Sequence, residues 1–428
     1  MVTTHPTEVM PTLPEPKNIS HFREWFASQG GYIHPKVYFH PALNCVMTRA
    51  LRELSKNGEI QHATGNWSER QLACTYLCLH DIVPESHAAF HLFKHRPYIH
   101  TLPSPDKLRT SLHFSSDELA LFNGSNLYGA TNDRREAWRD EWKACQHIIE
   151  TIDKDWGAQF SWDRYLTSAT YLSSRAFPST LLSPIPSLNP TPSSHPVLLP
   201  GIDALNHARA HPVTWAVNKK TSPSLQSPGP STNDDDLLIC LVLHQGSENG
   251  SELFNNYGPK PNSELILGYG FSLPDNPDDT IVLKIGGFPP SHPNANKHWE
   301  VGREARGIDL VWKAILEAVT MSDDGEGDHD ENDDGDEGYD PRDQLYAAGI
   351  LKGMADGLLK RLPSGNIEIS QEVIRPEVVE MFQHYIEGQT EILKSIIHYA
   401  REQENNASKQ IEELGLDLDE AGSQDGDE

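Results

Sequence analysis

The spacing of apolar residues divides the chain into helical and strand-like parts. Helical spacing occurs around Phe22, Trp25 and Phe26 and again throughout residues 43–150. Beyond residue 287 the same spacing predicts three helices, which are His298–Met321, Pro341–Leu362 and Pro376–Arg401. Short apolar runs typical of strands lie between these regions, at Val213–Val217, Leu237–Leu243 and Thr280–Ile285. The pattern therefore predicts a mixed α+β protein.

Local sequence signals indicate where several strands and helices begin or end. The uninterrupted apolar run Leu237–Leu243 predicts a buried strand. Another strand is expected to end at residues 252–253, with a turn at residues 255–258. The following helix should begin at residues 262–263, which are good capping residues, and should end at Gly268.

Three histidines form a candidate metal site. Pro84 suits the first turn of a helix, and His87, His91 and His95 would then share one helix face. Pairs of histidines one turn apart bind zinc in metalloproteases. Because no glutamate stands beside them in the register that this chemistry needs, we predict no metal.

Charge limits the classes of partner. The formal net charge of −27 would repel a phosphate backbone, so we expect no direct nucleic-acid partner and instead a basic protein. Much of this charge lies in residues 323–343 and after residue 412, which we expect to be disordered.

The absence of a long apolar run predicts no membrane span. The five irregularly spaced cysteines are typical of reduced intracellular thiols. We also expect the protein to be a monomer and to be located in the nucleus or cytoplasm.

Two stretches carry the candidate chemistry. Residues 250–271 (GSELFNNYGPKPNSELILGYGF) place Tyr257 and Tyr269 each beside a glycine, which allows a backbone or a ligand to approach closely. Residues 198–207 (LLPGIDALNH) place an aspartate, an asparagine and a histidine within five positions, just before a strand. Taken alone, the first stretch is explained equally well by a buried aromatic corner.

Together with SRAF at residues 174–177, YIHTLP at 98–103 and FREWF at 22–26, these stretches resemble the SET-domain protein methyltransferases. The closer likeness is to the subgroup of the Rubisco large-subunit lysine methyltransferase and the fungal ribosomal-protein lysine methyltransferases. It implies an α+β SET-domain fold, in which small β-sheets surround a pseudoknot, with a helical insert and an all-helical C-terminal substrate-binding domain. The corresponding boundaries are a disordered N-terminus at 1–18, a SET domain at 19–287 with the insert at about 43–150, a helical domain at 288–405 with an acidic loop at 322–343, and an acidic tail at 406–428.

The resemblance also implies S-adenosylmethionine as the cofactor and assigns roles to individual residues. Tyr257 would be catalytic. The cofactor-binding residues would be Arg175, Asp203, Asn206, His207 and Tyr257, and the substrate-binding residues would be Trp215, Tyr269 and Phe271. A lysine amine, whose pKa is near 10.4, must lose its proton before it can attack a methyl group, and an aromatic channel favours the neutral amine by desolvation. A tyrosine with a pKa near 10 is a poor base at neutral pH, so we expect Tyr257 to orient the amine.

One departure from the family keeps alternatives open. In the family, the strand that corresponds to Lys36–Phe39 continues into a glycine turn and a second strand, which form one wall of the cofactor pocket. Here His40–Ala42 runs directly into Leu43–Ser55, which has a helical pattern. A skipped exon in the gene model would explain the gap, and so would a loss of cofactor binding, which leads us to expect weak binding of S-adenosylmethionine or none.

Three functions therefore remain as hypotheses. The first is a methyltransferase acting on a lysine of a non-histone, ribosomal protein. The second is a non-catalytic SET-like protein that binds peptides, or a truncated gene model. The third is a protein-histidine methyltransferase on the same fold.

Overall fold

The computed structural model describes residues 17–28, 67–183, 185–219, 237–248, 250–323, 339–363 and 374–416. Its helices are α1 (Lys17–Ser28), α2 (Glu69–Ile82), α3 (Arg96–Ile99), α4 (Ser116–Ala120), α5 (Asn126–Ile152), α6 (Lys154–Gln159), α7 (Trp162–Arg175), α8 (Asn262–Glu264), α9 (Ile308–Asp323), α10 (Pro341–Arg361) and α11 (Pro376–Leu414). Its strands are β1 (Phe177–Pro178), β2 (Pro196–Val197), β3 (Asn206–His207), β4 (Val213–Lys219), β5 (Leu237–Leu243), β6 (Phe254–Asn255), β7 (Thr280–Leu283) and β8 (Trp299–Gly302).

The described residues form two compact units. One lies within residues 1–108 and 136–258, and the other lies within residues 109–135 and 259–428. No helix in the described part is long and apolar enough to cross a membrane.

In the first unit, helix α2 packs against helix α7. A capping box fixes the start of α2, because Ser68 Oγ accepts from the backbone N–H of Gln71 and Gln71 Oε1 accepts from the backbone N–H of Ser68. Where the two helices meet, Cys78 Sγ lies 3.3 Å from Ser168 Oγ. Helix α7 ends at Arg175, so the packing of α7 against α2 fixes the position of the Arg175 backbone.

Small sheets complete the first unit. Strands β1 and β2 are antiparallel, β4 and β5 are antiparallel, and β3 pairs in parallel with β6. A small apolar cluster of Leu181, Val197 and Leu199 lies beside β1 and β2, and the partly buried side chains of Phe177 and Trp215 pack against it.

The second unit is built around helices α10 and α11. Its apolar core is formed by residues from the β7–β8 hairpin and from helices α9, α10 and α11, including Val301, Val311, Leu351, Ile392 and Ile396. The predicted helices Pro341–Leu362 and Pro376–Arg401 are confirmed, although α11 continues to Leu414. This length follows from an apolar stripe that continues to buried Ala407 and Ile411.

The predicted helix His298–Met321 is wrong at its start. Residues Trp299–Gly302 form strand β8, and the helix begins only at Ile308. Within β8 the buried Val301 follows the exposed Glu300, so the side chains alternate with the period of two that a strand requires. The pairing of β8 with β7 overrides the helical spacing of the longer stretch.

Strand β5 was predicted correctly, but its burial was not. Val242 is 42% exposed, and none of the residues 239–243 is buried. In the described part of the chain, β4 and β5 pair only with each other, and the cross-strand partners Thr214 and Val242 are both exposed.

The stretch 250–271 differs from its prediction in two places. The short strand is Phe254–Asn255 rather than residues 252–253, and Asn255 is therefore not in a turn. The helical turn that begins at Asn262 continues through Gly268 as a π-helical segment, which ends because Gly270 adopts a left-handed conformation with φ of +83°. There the N–H of Gly270 donates to the carbonyl oxygen of Leu265 at 2.8 Å.

Several sequence predictions fall on residues outside those described. They include the strand Lys36–Phe39, the helix Leu43–Ser55, the missing hairpin after Ala42, most of the acidic loop and the end of the acidic tail. The described part of residues 43–150 contains helices and turns but no strand.

Candidate active site

Strands β3 and β6 bring the two motif stretches together. They pair in parallel, with Asn206 opposite Phe254 and His207 opposite Asn255. The N–H of Ala208 donates to the carbonyl oxygen of Asn255 at 2.9 Å and extends the pairing by one residue. The segment that ends in Asn-His therefore lies directly beside the segment that leads into Tyr257.

Tyr257 is held at three points. Its backbone N–H donates to His207 Nδ1 at 3.0 Å, and its ring stacks on the His207 ring with centroids 5.1 Å apart. Its hydroxyl donates to the carbonyl oxygen of Leu205 at 2.9 Å. The turn after it needs Gly258, whose φ is +89°, and Asn256 Oδ1 accepts the N–H of this glycine. The tyrosine side chain is thus fixed against the Asn-His segment.

Asp203 is a buried carboxyl group between two donors. The hydroxyl of Tyr98 donates to Asp203 Oδ2 at 3.0 Å. Arg175 Nη1 donates to the backbone carbonyl of Asp203 at 3.1 Å and lies 4.0 Å from Oδ2. Oδ1 has no hydrogen-bond partner among the described residues. Burial raises the pKa of Asp203 to about 8, although Arg175 and Tyr98 both act to lower it.

Asn206 and Trp215 lie in the same unit but in different surroundings. Asn206 is exposed, and its Nδ2 donates to Glu252 Oε1 at 2.6 Å. The ring of Trp215 packs against that of Phe177, with centroids 5.2 Å apart. Its indole Nε1 is buried and lacks a hydrogen-bond partner in the described part of the chain. A buried donor without a partner is unfavourable, so this N–H is available to a ligand or to water.

Tyr269 and Phe271 belong to the second unit. Their rings meet edge to face with centroids 6.3 Å apart, across the left-handed Gly270. The Lys260 ammonium lies over the Tyr269 ring, 5.5 Å from its centroid, and it also bonds to Glu264. Burial raises the pKa of Tyr269, so its phenol is protonated at neutral pH.

Sequence reasoning missed two groups that the structure places against the predicted residues. One is the hydroxyl of Tyr98, which was noted only as part of a motif. The other is the backbone carbonyl of Leu205. A backbone acceptor leaves no signal in a sequence, and Tyr98 and Asp203 are 105 positions apart, so the sequence does not show their contact.

The histidines considered for a metal do not share a helix face. His87 caps a short 3-10 helix at residues 88–92, and His95 immediately precedes α3. His87 packs on Trp156, whereas His95 is buried against Tyr76. Within the described residues there is no group of three or more His, Cys, Asp or Glu side chains that could hold a metal ion.

Comparisons with known proteins place this arrangement in a known fold. The SET domain of LSMT bound to lysine and AdoHcy matches with a TM-score of 0.60 at 16% identity, over 93% of this chain and 96% of that chain. Rubisco LSMT bound to AdoMet matches with a TM-score of 0.61 at 15% identity, over 96% of this chain and 98% of that chain. The predicted α+β SET-domain fold is confirmed.

Sequence comparison agrees with the predicted subgroup. The chain is 33% identical over 192 residues to ribosomal lysine N-methyltransferase set10 of Schizosaccharomyces pombe, a segment that covers 45% of this chain and 30% of that protein. It is 35% identical over 89 residues to ribosomal lysine N-methyltransferase 1 of Saccharomyces cerevisiae, which covers 21% of this chain and 12% of that protein. The matched segments thus span less than a third of these relatives. No protein-family model matches the chain.

Proposed function

We propose that this chain is an S-adenosylmethionine-dependent methyltransferase that acts on a lysine side chain of a ribosomal protein. The observation that carries the proposal is the parallel pairing of β3 with β6, which packs Tyr257 against His207. The similarity to proteins named ribosomal lysine N-methyltransferases supports the reaction and the substrate class. The SET-domain fold supports the cofactor, since related folds are known in complex with AdoMet and AdoHcy.

The donors and acceptors of the first unit fit the proposed cofactor. A guanidinium has five N–H donors, and the side chain of Arg175 remains 23% exposed while it bonds to Asp203. It can therefore also bind a carboxylate, as the methionine part of the cofactor requires. The exposed Asn206 and the half-buried His207 offer further polar groups beside it.

The proposed chemistry is a direct methyl transfer to an amine. When bound, S-adenosylmethionine supplies a methyl group on a positively charged sulfur. The Tyr257 hydroxyl donates a hydrogen bond to the Leu205 carbonyl, so its oxygen lone pairs point away from that contact and can orient the incoming amine. We assign Trp215 in the first unit to the substrate lysine, because an aromatic face attracts the cationic form of an amine and desolvation favours its neutral form.

A labelling experiment tests the reaction. The purified chain is incubated with tritiated S-adenosylmethionine and a ribosomal protein fraction, and labelled proteins are hydrolysed to amino acids. We expect the label in methylated lysine. Label in methylhistidine would instead support a histidine methyltransferase, and the absence of label from every ribosomal protein would contradict the proposal.

Charge supports a basic substrate. Ribosomal proteins are selected for binding RNA phosphates and are therefore basic, and this chain carries a formal net charge of −27. Surface charges are screened beyond roughly 10 Å at about 0.1 M salt. The affinity for the substrate should therefore fall steeply as salt rises, and a salt-independent affinity would contradict the role of charge.

A second candidate function is a non-catalytic peptide-binding protein. The observation that favours it is the sequence itself, in which His40–Ala42 runs into Leu43 without the hairpin that the family resemblance leads one to expect. Isothermal titration with S-adenosylmethionine separates the two candidates, with a version in which a family-like glycine-turn hairpin follows Ala42 as the comparison. Binding by both versions supports the enzyme, whereas binding only by the extended version supports a defective cofactor site.

A further inference from the structure

Tyr98 lies at the buried end of a short chain of polar contacts. It is fully buried, and its hydroxyl donates to Asp203 Oδ2 at 3.0 Å. The Asp203 side chain has no exposed surface and lies 4.0 Å from Arg175 Nη1, which also donates to the Asp203 carbonyl oxygen. Asp203 thus lies between a tyrosine hydroxyl and a guanidinium.

These contacts limit how Arg175 can move. A buried carboxyl group is costly unless it is hydrogen-bonded, so Asp203 is constrained by the Tyr98 hydroxyl that donates to its Oδ2. The guanidinium is a rigid planar fork, so holding its Nη1 against Asp203 restricts the direction of its remaining N–H donors. Arg175 is the last residue of α7 and is the one member of the three with exposed side-chain surface. It is therefore the member that a ligand can reach.

We propose that Tyr98 is a positioning residue which, through Asp203, holds Arg175 in the orientation that binds the carboxylate of the methionine part of the cofactor. The identity of the ligand rests on the proposed function. Tyr98 itself does not touch the ligand, and Asp203 transmits its effect by holding Nη1 of the guanidinium.

The surroundings of Asp203 give a direct readout of this role. The ionisable groups that face it are Tyr98 and Arg175, and Tyr171 interacts electrostatically with both of these. The Tyr98 hydrogen bond favours the charged carboxylate and opposes the effect of burial on its pKa. Removing the hydroxyl should therefore raise the pKa of Asp203.

The first experiment measures the affinity for S-adenosylhomocysteine by isothermal titration. We expect Tyr98→Phe to weaken binding up to about tenfold, as expected when one buried hydrogen bond is lost. Tyr171→Phe is the matched control, because it removes the same hydroxyl from a buried tyrosine that bonds to the Pro103 carbonyl instead. If Tyr98 acts through the guanidinium, its substitution should have little further effect in an Arg175→Lys background. Equal effects of Tyr98→Phe in both backgrounds would overturn the proposal.

The second experiment needs no ligand. In protein labelled with carboxyl-¹³C aspartate, Asp203→Asn identifies the Asp203 signal, and its titration is followed by NMR. We expect the titration midpoint to move to higher pH in Tyr98→Phe and to stay in place in Tyr171→Phe. An unmoved midpoint in Tyr98→Phe would show that the hydroxyl does not control Asp203. If the midpoint moves but the wild-type chain does not bind S-adenosylhomocysteine, the proposed cofactor is contradicted, whereas the coupling of Tyr98 to Asp203 stands.

Discussion

The backbone N–H of Tyr257 donates a hydrogen bond to Nδ1 of His207, and the two rings stack with centroids 5.1 Å apart. A backbone N–H can only donate, so Nδ1 of His207 is the acceptor in this contact. The two residues are 50 positions apart. The contact therefore joins the two motif stretches through a side chain as well as through the pairing of β3 with β6.

Replacing His207 with phenylalanine should separate the two components of this contact. The ring stack can persist, but the N–H of Tyr257 loses its acceptor, which costs about 1–3 kcal/mol where the group is buried. We expect urea unfolding to show a loss at the lower end of this range, because both residues are only partly buried. His195→Phe, at an exposed position, is the control and should leave stability unchanged. Equal stability of the two variants would mean that the hydrogen bond contributes nothing.

Replacing Tyr257 with phenylalanine tests the predicted catalytic residue. The loss of one well-placed polar group at a reacting centre lowers the rate about a hundred- to a thousandfold. We expect that loss in the rate of methyl transfer to ribosomal protein, with a stability change of about 1 kcal/mol from the lost bond to Leu205. Tyr346→Phe removes a hydroxyl from a side chain that is 65% exposed and should have no effect. Unchanged turnover in Tyr257→Phe would remove this residue from the mechanism.

The sequence predicted those elements whose apolar residues keep one spacing from end to end. Helices α10 and α11 were visible from their apolar spacing, and β4 from its short apolar run. Strand β8 was missed because four residues with a period of two are easily absorbed into a longer helical pattern. For the site, residue types near Tyr257 could be read along the chain. The acceptor of the Tyr257 hydroxyl could not be predicted, because this acceptor is a backbone carbonyl.

A buried ion pair gives a stability prediction for the second unit. Glu118 is 2% exposed and receives two hydrogen bonds from the Arg375 guanidinium, at 2.7 and 2.6 Å. Arg375→Met would leave the buried carboxylate without its cation, although the backbone N–H groups of residues 115 and 375 still donate to it. We therefore expect a loss somewhat below the roughly 3–5 kcal/mol typical of a fully buried pair. Lys143→Met is the control, because the Lys143–Asp140 pair is exposed and should contribute less than about 1 kcal/mol. Similar losses in urea unfolding for the two variants would contradict this difference.

Two buried histidines in the first unit predict how stability depends on pH. His80 is fully buried and His95 is 2% exposed, and their ring centroids are 6.2 Å apart. His80 Nδ1 bonds to the Tyr76 carbonyl, while His95 Nδ1 lies 2.6 Å from the Tyr76 hydroxyl. Burial lowers the pKa of His80 to about 3 and that of His95 to about 4. Both rings are therefore neutral in the folded protein at neutral pH.

The direction of the effect follows from the two pKa values. Above about pH 6.5 these histidines are neutral in both folded and unfolded chains and add no pH dependence. As the pH falls from about 6.5 towards about 4, these histidines bind protons in the unfolded chain but not in the folded chain. The free energy of unfolding therefore falls by up to about 1.4 kcal/mol per pH unit for each histidine. In urea unfolding between about pH 5 and pH 6.5, the raised pKa of Asp203 adds a slope of opposite sign. The wild-type protein should therefore show the histidine contribution superimposed on that of Asp203. The histidine contribution should be reduced in His95→Gln and unchanged in His298→Gln, whose side chain is exposed. If His95→Gln retains the full slope, His95 must take up its proton in the folded protein, and its burial does not hold it neutral.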